Sequence, residues 1–312
     1  MEIFELTYPE AFPQLATPPY AVAIGFFDGI HKGHQAVIQE AVALSHANDK
    51  PAAVMTFTPH PTKLFHPEAP ERMYLMSREQ KVEQLKALGV DQVFFVTFDW
   101  NLARLSPEDF IDTFIVSQQI QHVVAGFDFT FGAKGQGNMS LMKTLSAGRF
   151  KTTAVGKVTE DGEKVASSTI RKQIEEGEVD AVVEALGHPF STEGIVVDGD
   201  KRGRTIGFPT ANLRVGPEMI LPKNGVYAVY ATIENEKISG VCNVGVVPTF
   251  TNGQNRSVEV HLIDFDQEIY GKTVRVEWIE RIRDEQKFDS IDALIAQIGA
   301  DKVRARTILQ NN

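Results

Sequence analysis

The stretch AVAIGFFDGIHKGH, residues 21–34, predicts a junction between a buried strand and a helix. Its first four residues are apolar, as in an interior parallel strand, and apolar residues recur at helical spacing after the glycines. Free N–H groups in the first turn of such a helix favour an anion, so His31 and His34 would face a polyphosphate. The two histidines could instead bind a metal, although no cysteine or acidic cluster nearby completes a zinc site, or belong to a structural turn.

Strand and helix signals alternate from this junction to about residue 125. Apolar strand patterns at 52–57, 91–97 and 122–125 are separated by helical patterns, which predicts a doubly wound parallel sheet with helices on both faces. Such sheets bind ligands at the carboxyl ends of their strands. We therefore expect the turn after the first strand and the turn GFDFTFG at 126–132 to converge.

The pattern changes at GHPF, residues 187–190. Before it, an amphipathic helix is predicted over 168–186, which Gly177 could split. After it, short β-branched and aromatic runs separated by turns predict an antiparallel barrel, and a final helical pattern closes the chain. The predicted fold class is therefore α/β plus β, with one domain at 1–186 and a second at 187–312.

Composition indicates an ordinary globular protein of 312 residues, with 43% hydrophobic and 23% charged residues. The formal net charge of -10 argues against nucleic-acid or anionic-membrane partners. The first residues contain no apolar targeting segment, and no stretch approaches the roughly 18 apolar residues of a membrane span, so we expect a cytoplasmic protein. The single cysteine, Cys242, excludes an internal disulfide and lies in an apolar strand pattern typical of a buried, inert thiol. Nothing in the sequence indicates an oligomeric state.

Seven motifs span nearly the whole chain, and together they resemble one family. They are GFFDGIHKGH at 25–34, TFTPHP at 56–61, GFDFTFG at 126–132, VASSTIR at 165–171, GDKRGRTIGFPTANL at 199–213, NVGVVPT at 243–249 and VEVHLIDF at 258–265. The first resembles the HxGH signature of nucleotidyltransferases. The set resembles the prokaryotic bifunctional riboflavin kinase/FMN adenylyltransferase family, also called FAD synthetase.

One motif departs from the family pattern. Where the family usually reads ISSTxIR, this chain reads VASSTIR, so Ala166 replaces a serine and Ser168 replaces a threonine. Ser168 keeps a hydroxyl, and Ile170 and Arg171 are retained. This departure keeps open the alternative that only one of the family's two activities is retained.

The resemblance implies two reactions on one chain. A C-terminal β-barrel would phosphorylate riboflavin to FMN with ATP and Mg²⁺. An N-terminal Rossmann-like nucleotidyltransferase domain would then adenylylate FMN to FAD and release pyrophosphate. Riboflavin, FMN and ATP would be the partners, so that flavins are substrates and products. A flavin- or nucleotide-binding regulator is the remaining alternative.

Adenylyl transfer needs positioning and charge stabilisation rather than a protein nucleophile. The predicted catalytic residues of the first domain are His31, His34 and Arg171, whose guanidinium suits the leaving phosphates. Considered alone, Arg171 would as readily be an exposed helix residue. Asp28 could instead bond its own backbone, His60 could only brace its turn, and the phenylalanines of GFDFTFG could form an ordinary strand. The predicted substrate-binding residues of this domain are Gly25, Phe27, Asp28, His60, Asp128, Ser167 and Ser168.

The second domain combines a basic glycine-rich loop with the sequence PTAN. Thr210 and Asn212 offer hard oxygen ligands to Mg²⁺. Glycine N–H groups and Lys201 could meet the phosphates, although a basic quartet such as 201–204 is more often a solvated turn. The predicted substrate-binding residues are Gly199, Lys201, Gly203, Thr210 and Asn212, and the predicted metal ligands are Thr210 and Asn212.

Phosphorylation of riboflavin requires a carboxylate within about 3 Å of a primary alcohol. Glu259 matches the base proposed for the family and is the predicted catalytic residue. By strand alternation it points away from the apolar Val258 and Val260, so it could also be an exposed strand charge. His261 lies on the same face as Glu259, and the sequence assigns it no role.

Overall fold

The computed structural model describes the chain except residues 11, 13–14, 67, 69–72, 161–162, 200–202, 204–205, 248–254 and 312. The chain forms two compact units. The first unit comprises Met1–Arg72 and Arg78–Ala166, and the second comprises Met73–Ser77 and Ser167–Asn312. No helix of the described ranges combines the length and the hydropathy needed to cross a membrane.

A six-stranded parallel sheet organises the first unit. The strands of this unit are β1 Glu2–Leu6, β2 Ala21–Ile24, β3 Ala52–Thr58, β4 Gln92–Thr97, β5 His122–Gly126, β6 Thr130–Phe131, β7 Gly137–Asn138, β8 Lys151–Val155, β9 Thr159–Glu160 and β10 Glu163–Lys164. The sheet order is β1-β4-β3-β2-β5-β8. The chain moves outward from β2 to β3 and β4 on one side and from β5 to β8 on the other, so the direction switches between β2 and β5. The predicted doubly wound sheet is confirmed.

Helices follow most of these strands. They are α1 Lys32–His46, α2 Pro61–Phe65, α3 Arg78–Ala87, α4 Trp100–Ala103, α5 Pro107–Ile111 and α6 Met139–Ser146, with a π-helical turn at Asp112–Val116 and a 3₁₀ turn at Ala133–Gly135. Ser106 caps α5, because its hydroxyl accepts the Asp109 N–H at 3.0 Å. One apolar core joins alternate sheet residues such as Val22 and Met55 to Phe114 of the π-helical turn.

The second unit contains a closed barrel of six antiparallel strands. They are β11 Ser191–Val197, β12 Ala211–Val215, β13 Gly225–Ile233, β14 Glu236–Val247, β15 Asn255–Leu262 and β16 Thr273–Arg283, in the order β11-β12-β15-β14-β13-β16. The predicted barrel is confirmed, and Cys242 lies buried in its core. Burial raises the pKa of this thiol well above its usual range, as expected for an inert cysteine.

The helices that pack against the barrel in the described part of this unit are α7 Ser167–Glu176, α8 Val182–Leu186 and α9 Ile291–Gln310. Gly177 separates α7 from α8 with a φ of +87°, which is the predicted split. The apolar side chains of the α7–α8 segment belong to the barrel core, and these are Ile170, Ile174, Val179, Val182 and Leu186. The predicted domain boundary at 186/187 thus follows the last of these residues, whereas the compact units divide at 166/167.

Candidate functional site

The two predicted ligand turns of the first unit leave the sheet side by side. The turn 25–31 follows β2 and the turn 126–132 follows β5, and these strands pair with Ile24 opposite Ala125. His60 follows β3, which pairs with β2 on its other side. The carboxyl edge of the sheet at its switch point therefore holds all three segments, where ligands of such folds bind.

His31 and His34 lie together at the start of α1. His31 is the N-cap of the helix, and its Nδ1 accepts the backbone N–H of His34 at 3.3 Å. The imidazole rings are stacked, with centroids 3.6 Å apart and planes 17° apart. Because Nδ1 of His31 accepts a hydrogen bond, the proton of the neutral ring lies on Nε2, which is the atom that can donate to a ligand.

The turn before these histidines contains left-handed residues that are not glycine. Phe27 has a φ of +50° and Ile30 a φ of +37°, on either side of Gly29 at +82°. The Phe27 ring is 2% exposed and meets the His34 ring edge to face at 5.3 Å. A Cβ on Gly25 would lie 2.9 Å from the Phe27 ring, so a side chain there would displace this ring. Asp28 is buried in the same turn.

The structure gives His60 a bracing role in its own turn. Its Nδ1 accepts the Thr62 N–H at 3.1 Å and lies 2.7 Å from the Thr62 hydroxyl, which makes His60 the N-cap of α2. The His60 ring also meets Phe26 edge to face at 4.3 Å. These contacts are those of the bracing alternative, and substrate contact through Nε2 stays a prediction.

The phenylalanines of GFDFTFG have three different environments. Phe127 is 47% exposed, Phe129 packs partly against the core, and Phe131 is buried. Asp128 is exposed beside Phe127, and between the end of β5 at Gly126 and the start of β6 at Thr130 the motif forms a turn rather than a strand. Phe127 and Asp128 are solvent-exposed in this turn, and substrate contact by Asp128 stays a prediction.

Ser167, Ser168 and Arg171 lie together on α7, which belongs to the second unit. The Arg171 Nε donates to the Met73 carbonyl at 2.9 Å. This contact joins α7 to the segment 73–77 of the same unit. The phosphate-binding role of the guanidinium stays a prediction.

Lys81 is a buried cation that the sequence pattern did not single out. It lies in the first turn of α3, and its Nζ donates to the Phe26 carbonyl at 2.9 Å. The Thr56 hydroxyl donates to the same carbonyl at 2.9 Å. Burial lowers the pKa of the Lys81 ammonium from 10.5 to about 8, and the Asp28 carboxylate opposes this shift. Helical periodicity places a lysine on the solvent face, so only the contact with turn 25–31 reveals it.

The pKa of Lys81 predicts a pH-dependent stability difference between this protein and Lys81→Met. Between pH 8 and 10.5 the unfolded chain binds the Lys81 proton more strongly than the folded chain, so rising pH favours folding. Relative to Lys81→Met, the free energy of unfolding of this protein therefore rises with pH by on the order of 3 kcal/mol for a pKa shift of this size. The rise is complete above pH 10.5 and is lost as the pH falls to about 8. Denaturant unfolding of both proteins across this range measures it. Parallel stability curves for the two proteins would contradict it.

In the second unit, the structure brings Asn212 and Glu259 together. They are direct partners across β12 and β15, and Asn243 of β14 is the partner of Glu259 on its other side. Directly opposed side chains have Cβ atoms about 4.5–5.5 Å apart. Val258 and Val260 are buried and Glu259 between them is half-buried, as the predicted alternation requires, whereas His261 is buried as well. The sequence did not predict β12, so it could not predict this pairing.

The glycine-rich loop lies against the same strand. A Cβ on Gly199 would lie 2.2 Å from Asn212 Nδ2, and a Cβ on Gly203 would lie 2.3 Å from the Phe208 carbonyl and 3.5 Å from the Thr210 hydroxyl. Both glycines are therefore close to the predicted metal ligands. Lys201 lies outside the described residues.

A cavity of about 560 Å³ lies beside Thr210. Its wall includes the apolar Val260 and the polar residues Asp266, Glu268 and Tyr270. No sequence motif indicated a role for these three polar residues. Pockets of about 300–1,000 Å³ with mixed polar and apolar walls suit small organic ligands.

His261 anchors the backbone next to Thr210. Its Nδ1 lies 2.8 Å from the Pro209 carbonyl, to which it donates because a carbonyl can only accept. The strand ladder between β12 and β15 begins at Ala211, so this bond holds the chain just beyond the ladder. Burial lowers the pKa of His261, although the bond to Pro209 acts in the opposite direction.

Comparison with known proteins assigns a separate family model to each half of the chain. A family model described as FAD synthetase matches residues 14–169, and one described as riboflavin kinase matches residues 186–309. The chain is 42% identical over 285 residues to a bifunctional riboflavin kinase/FMN adenylyltransferase of Listeria monocytogenes, covering 91% of each chain. The relative of the same description in Bacillus subtilis is 41% identical over 313 residues, covering 100% of this chain and 99% of the other. A Streptococcus pneumoniae crystal structure described as a macrolide-efflux protein superposes with a TM-score of 0.88 at 35% identity, covering 97% of this chain and 99% of the other.

Proposed function

The chain belongs to the bifunctional riboflavin kinase/FMN adenylyltransferase family, and from this premise we propose how its residues carry out the two reactions. It phosphorylates riboflavin to FMN with ATP, and it transfers an adenylyl group from ATP to FMN to give FAD and pyrophosphate. The observation that carries the assignment is the match of the two family models to separate stretches, each with its own candidate site. The first contains the stacked pair His31 and His34, and the second contains Asn212 opposite Glu259.

In adenylyl transfer, the first site positions substrates and stabilises charge. An FMN phosphate oxygen forms a bond to the α-phosphorus of ATP while the bond to pyrophosphate breaks, so the protein supplies no nucleophile. His31 donates through Nε2 and His34 through its ring to the phosphate oxygens that gain charge. Arg171 binds the departing pyrophosphate. The substrate contacts proposed for this reaction are those of Gly25, Phe27, Asp28, His60, Asp128, Ser167 and Ser168.

In the kinase reaction, Glu259 is the general base. Its carboxylate takes the proton of the riboflavin primary alcohol, and the alcohol oxygen forms a bond to the γ-phosphorus of ATP as the bond to ADP breaks. Lys201 and the N–H groups of Gly199 and Gly203 bind the phosphates. The cavity beside Thr210 has a volume that suits the flavin or the nucleotide, which supports this assignment.

Thr210 and Asn212 fit a Mg²⁺ ion that accompanies ATP. Their hydroxyl and amide carbonyl are hard oxygen ligands, and the missing Cβ of Gly199 leaves room for the Asn212 side chain. When bound, Mg²⁺ neutralises charge on the phosphates.

Two C-terminal fragments test the division of the reactions. Fragment 167–312 lacks segment 73–77 of the same unit, including Leu75 of the core, but keeps the barrel with α7 and α8. It is expected to fold and to make FMN but no FAD. Fragment 187–312 keeps every proposed kinase residue but loses the five apolar side chains of α7–α8 from the barrel core. Burial of such a side chain contributes about 1.5–3 kcal/mol, and a domain is stable by about 5–15 kcal/mol. We therefore expect fragment 187–312 to be largely unfolded at 37 °C.

Circular dichroism and flavin chromatography measure these outcomes, with the full chain as the control that makes both FMN and FAD. A folded fragment 167–312 without kinase activity would show that the kinase requires residues of the first unit. A fragment 187–312 as stable as fragment 167–312 would show that α7 and α8 contribute little to the barrel.

A further inference from the structure

The backbone of turn 25–31 is held in an unfavourable conformation next to the histidine pair. Left-handed φ values at Phe27 and Ile30 are unfavourable for residues other than glycine and persist only where surrounding contacts fix them. Both residues adjoin a carbonyl that accepts a side-chain donor. Lys81 and Thr56 donate to the carbonyl of Phe26, and Gln35 Nε2 donates to that of Ile30 at 2.8 Å.

Of these three donors, Lys81 is the one whose burial costs the most stability, because its side chain carries a charge. Its side chain is 8% exposed, and its ammonium also lies 5.1 Å from the centre of the Phe26 ring. Asp28, buried in the same turn, is the carboxylate whose charge acts on Lys81. A buried ammonium costs stability, and the adenylyl-transfer mechanism above does not use this one. Its contacts are with Phe26 and Asp28 of the turn that ends in His31 and with the Thr56 hydroxyl, 3.5 Å from Nζ, which bonds the same Phe26 carbonyl.

We propose that Lys81 is a positioning residue for adenylyl transfer, holding turn 25–31 so that His31 and His34 face the reacting phosphates. The proposal rests on the proposed FMN adenylyltransferase activity. Lys81 touches neither substrate. It fixes the Phe26 carbonyl, and through the following peptide the left-handed Phe27, whose ring packs against His34.

The test is steady-state FAD formation from FMN and Mg·ATP by full-length Lys81→Met. We expect kcat to fall by about 10- to 100-fold, the cost of slight misplacement of catalytic groups, while KM for FMN and ATP stays within about threefold. Lys81→Gln retains an N–H donor and should recover part of kcat. Lys86→Met, an exposed position on the same helix, is the matched control and should leave FAD formation unchanged. Riboflavin phosphorylation should be unchanged in all three.

FAD formation by the protein without substitutions distinguishes failure of the proposed function from failure of the positioning role. If this protein makes no FAD, the proposed function fails; if it makes FAD and Lys81→Met does so within about twofold in kcat, only the positioning role fails. A rise in KM without a loss of kcat would also overturn the proposal, because it would assign Lys81 to substrate binding. If Lys81→Met does not fold, Lys81→Gln is judged by the same criteria. Misfolding of both would overturn the proposal by making Lys81 a folding residue.

Discussion

Glu259→Gln is expected to lower riboflavin phosphorylation by about 10²–10⁴-fold, the range for loss of a general base, while FAD formation from added FMN continues. Glutamine preserves the shape of the side chain and its place opposite Asn212 but cannot accept the proton of the alcohol. The defect should therefore appear in kcat and persist at saturating riboflavin and Mg·ATP. Timed chromatography of flavins from riboflavin and from FMN measures the two activities separately.

Variants of the proposed metal ligands should respond differently. Thr210→Ala and Asn212→Ala weaken nucleotide and Mg²⁺ binding, so part of their activity should return at higher Mg·ATP. Glu236→Gln removes an exposed carboxylate at the start of β14 and serves as the matched control with unchanged kinase activity. Full turnover by Glu259→Gln would make Glu259 an exposed strand charge and leave the base to be sought elsewhere.

The strand and helix that support the histidine pair could be predicted because their signals are local. All four residues of β2 are buried, so they form an uninterrupted apolar run. The α1 residues Val37, Ile38 and Ala41, which are buried, recur at helical spacing. The sheet could be recognised from such runs, whereas β1 and β8 carry polar residues that obscure the pattern.

Features that depend on contacts distant in sequence could not be predicted. The apolar side of α7 and α8 is visible in the sequence, but the sequence does not say that it covers the barrel. Strand β12, Ala211–Val215, is short and begins within the PTAN sequence, so no alternating run marks it. The bond from His261 to the Pro209 carbonyl joins residues 52 positions apart, and the bond from Lys81 to the Phe26 carbonyl joins residues 55 positions apart. Such pairs leave no periodic signal.

His31→Ala and His34→Ala are each expected to lower FAD formation by about 10²–10³-fold, the cost of losing a preorganised donor to developing charge. FMN formation from riboflavin should continue, because the kinase residues lie in the second unit. His46→Ala, at the exposed end of α1, is the matched control and should retain FAD synthesis. Flavin chromatography with FMN as substrate measures the effect.

The N-cap of His31 must be separated from its proposed catalytic role. Removal of an N-cap costs about 0.5–2 kcal/mol, so His31→Ala would also weaken the start of α1. His31→Asn resolves the two effects, because its side-chain oxygen can accept the His34 N–H as Nδ1 does now, but it has no counterpart of the Nε2 donor. We expect His31→Asn to unfold at nearly the original temperature and still to lose FAD synthesis by about 10²-fold or more. Near-normal FAD synthesis in His31→Asn, or in the double variant His31→Ala and His34→Ala, would limit the histidines to capping the helix.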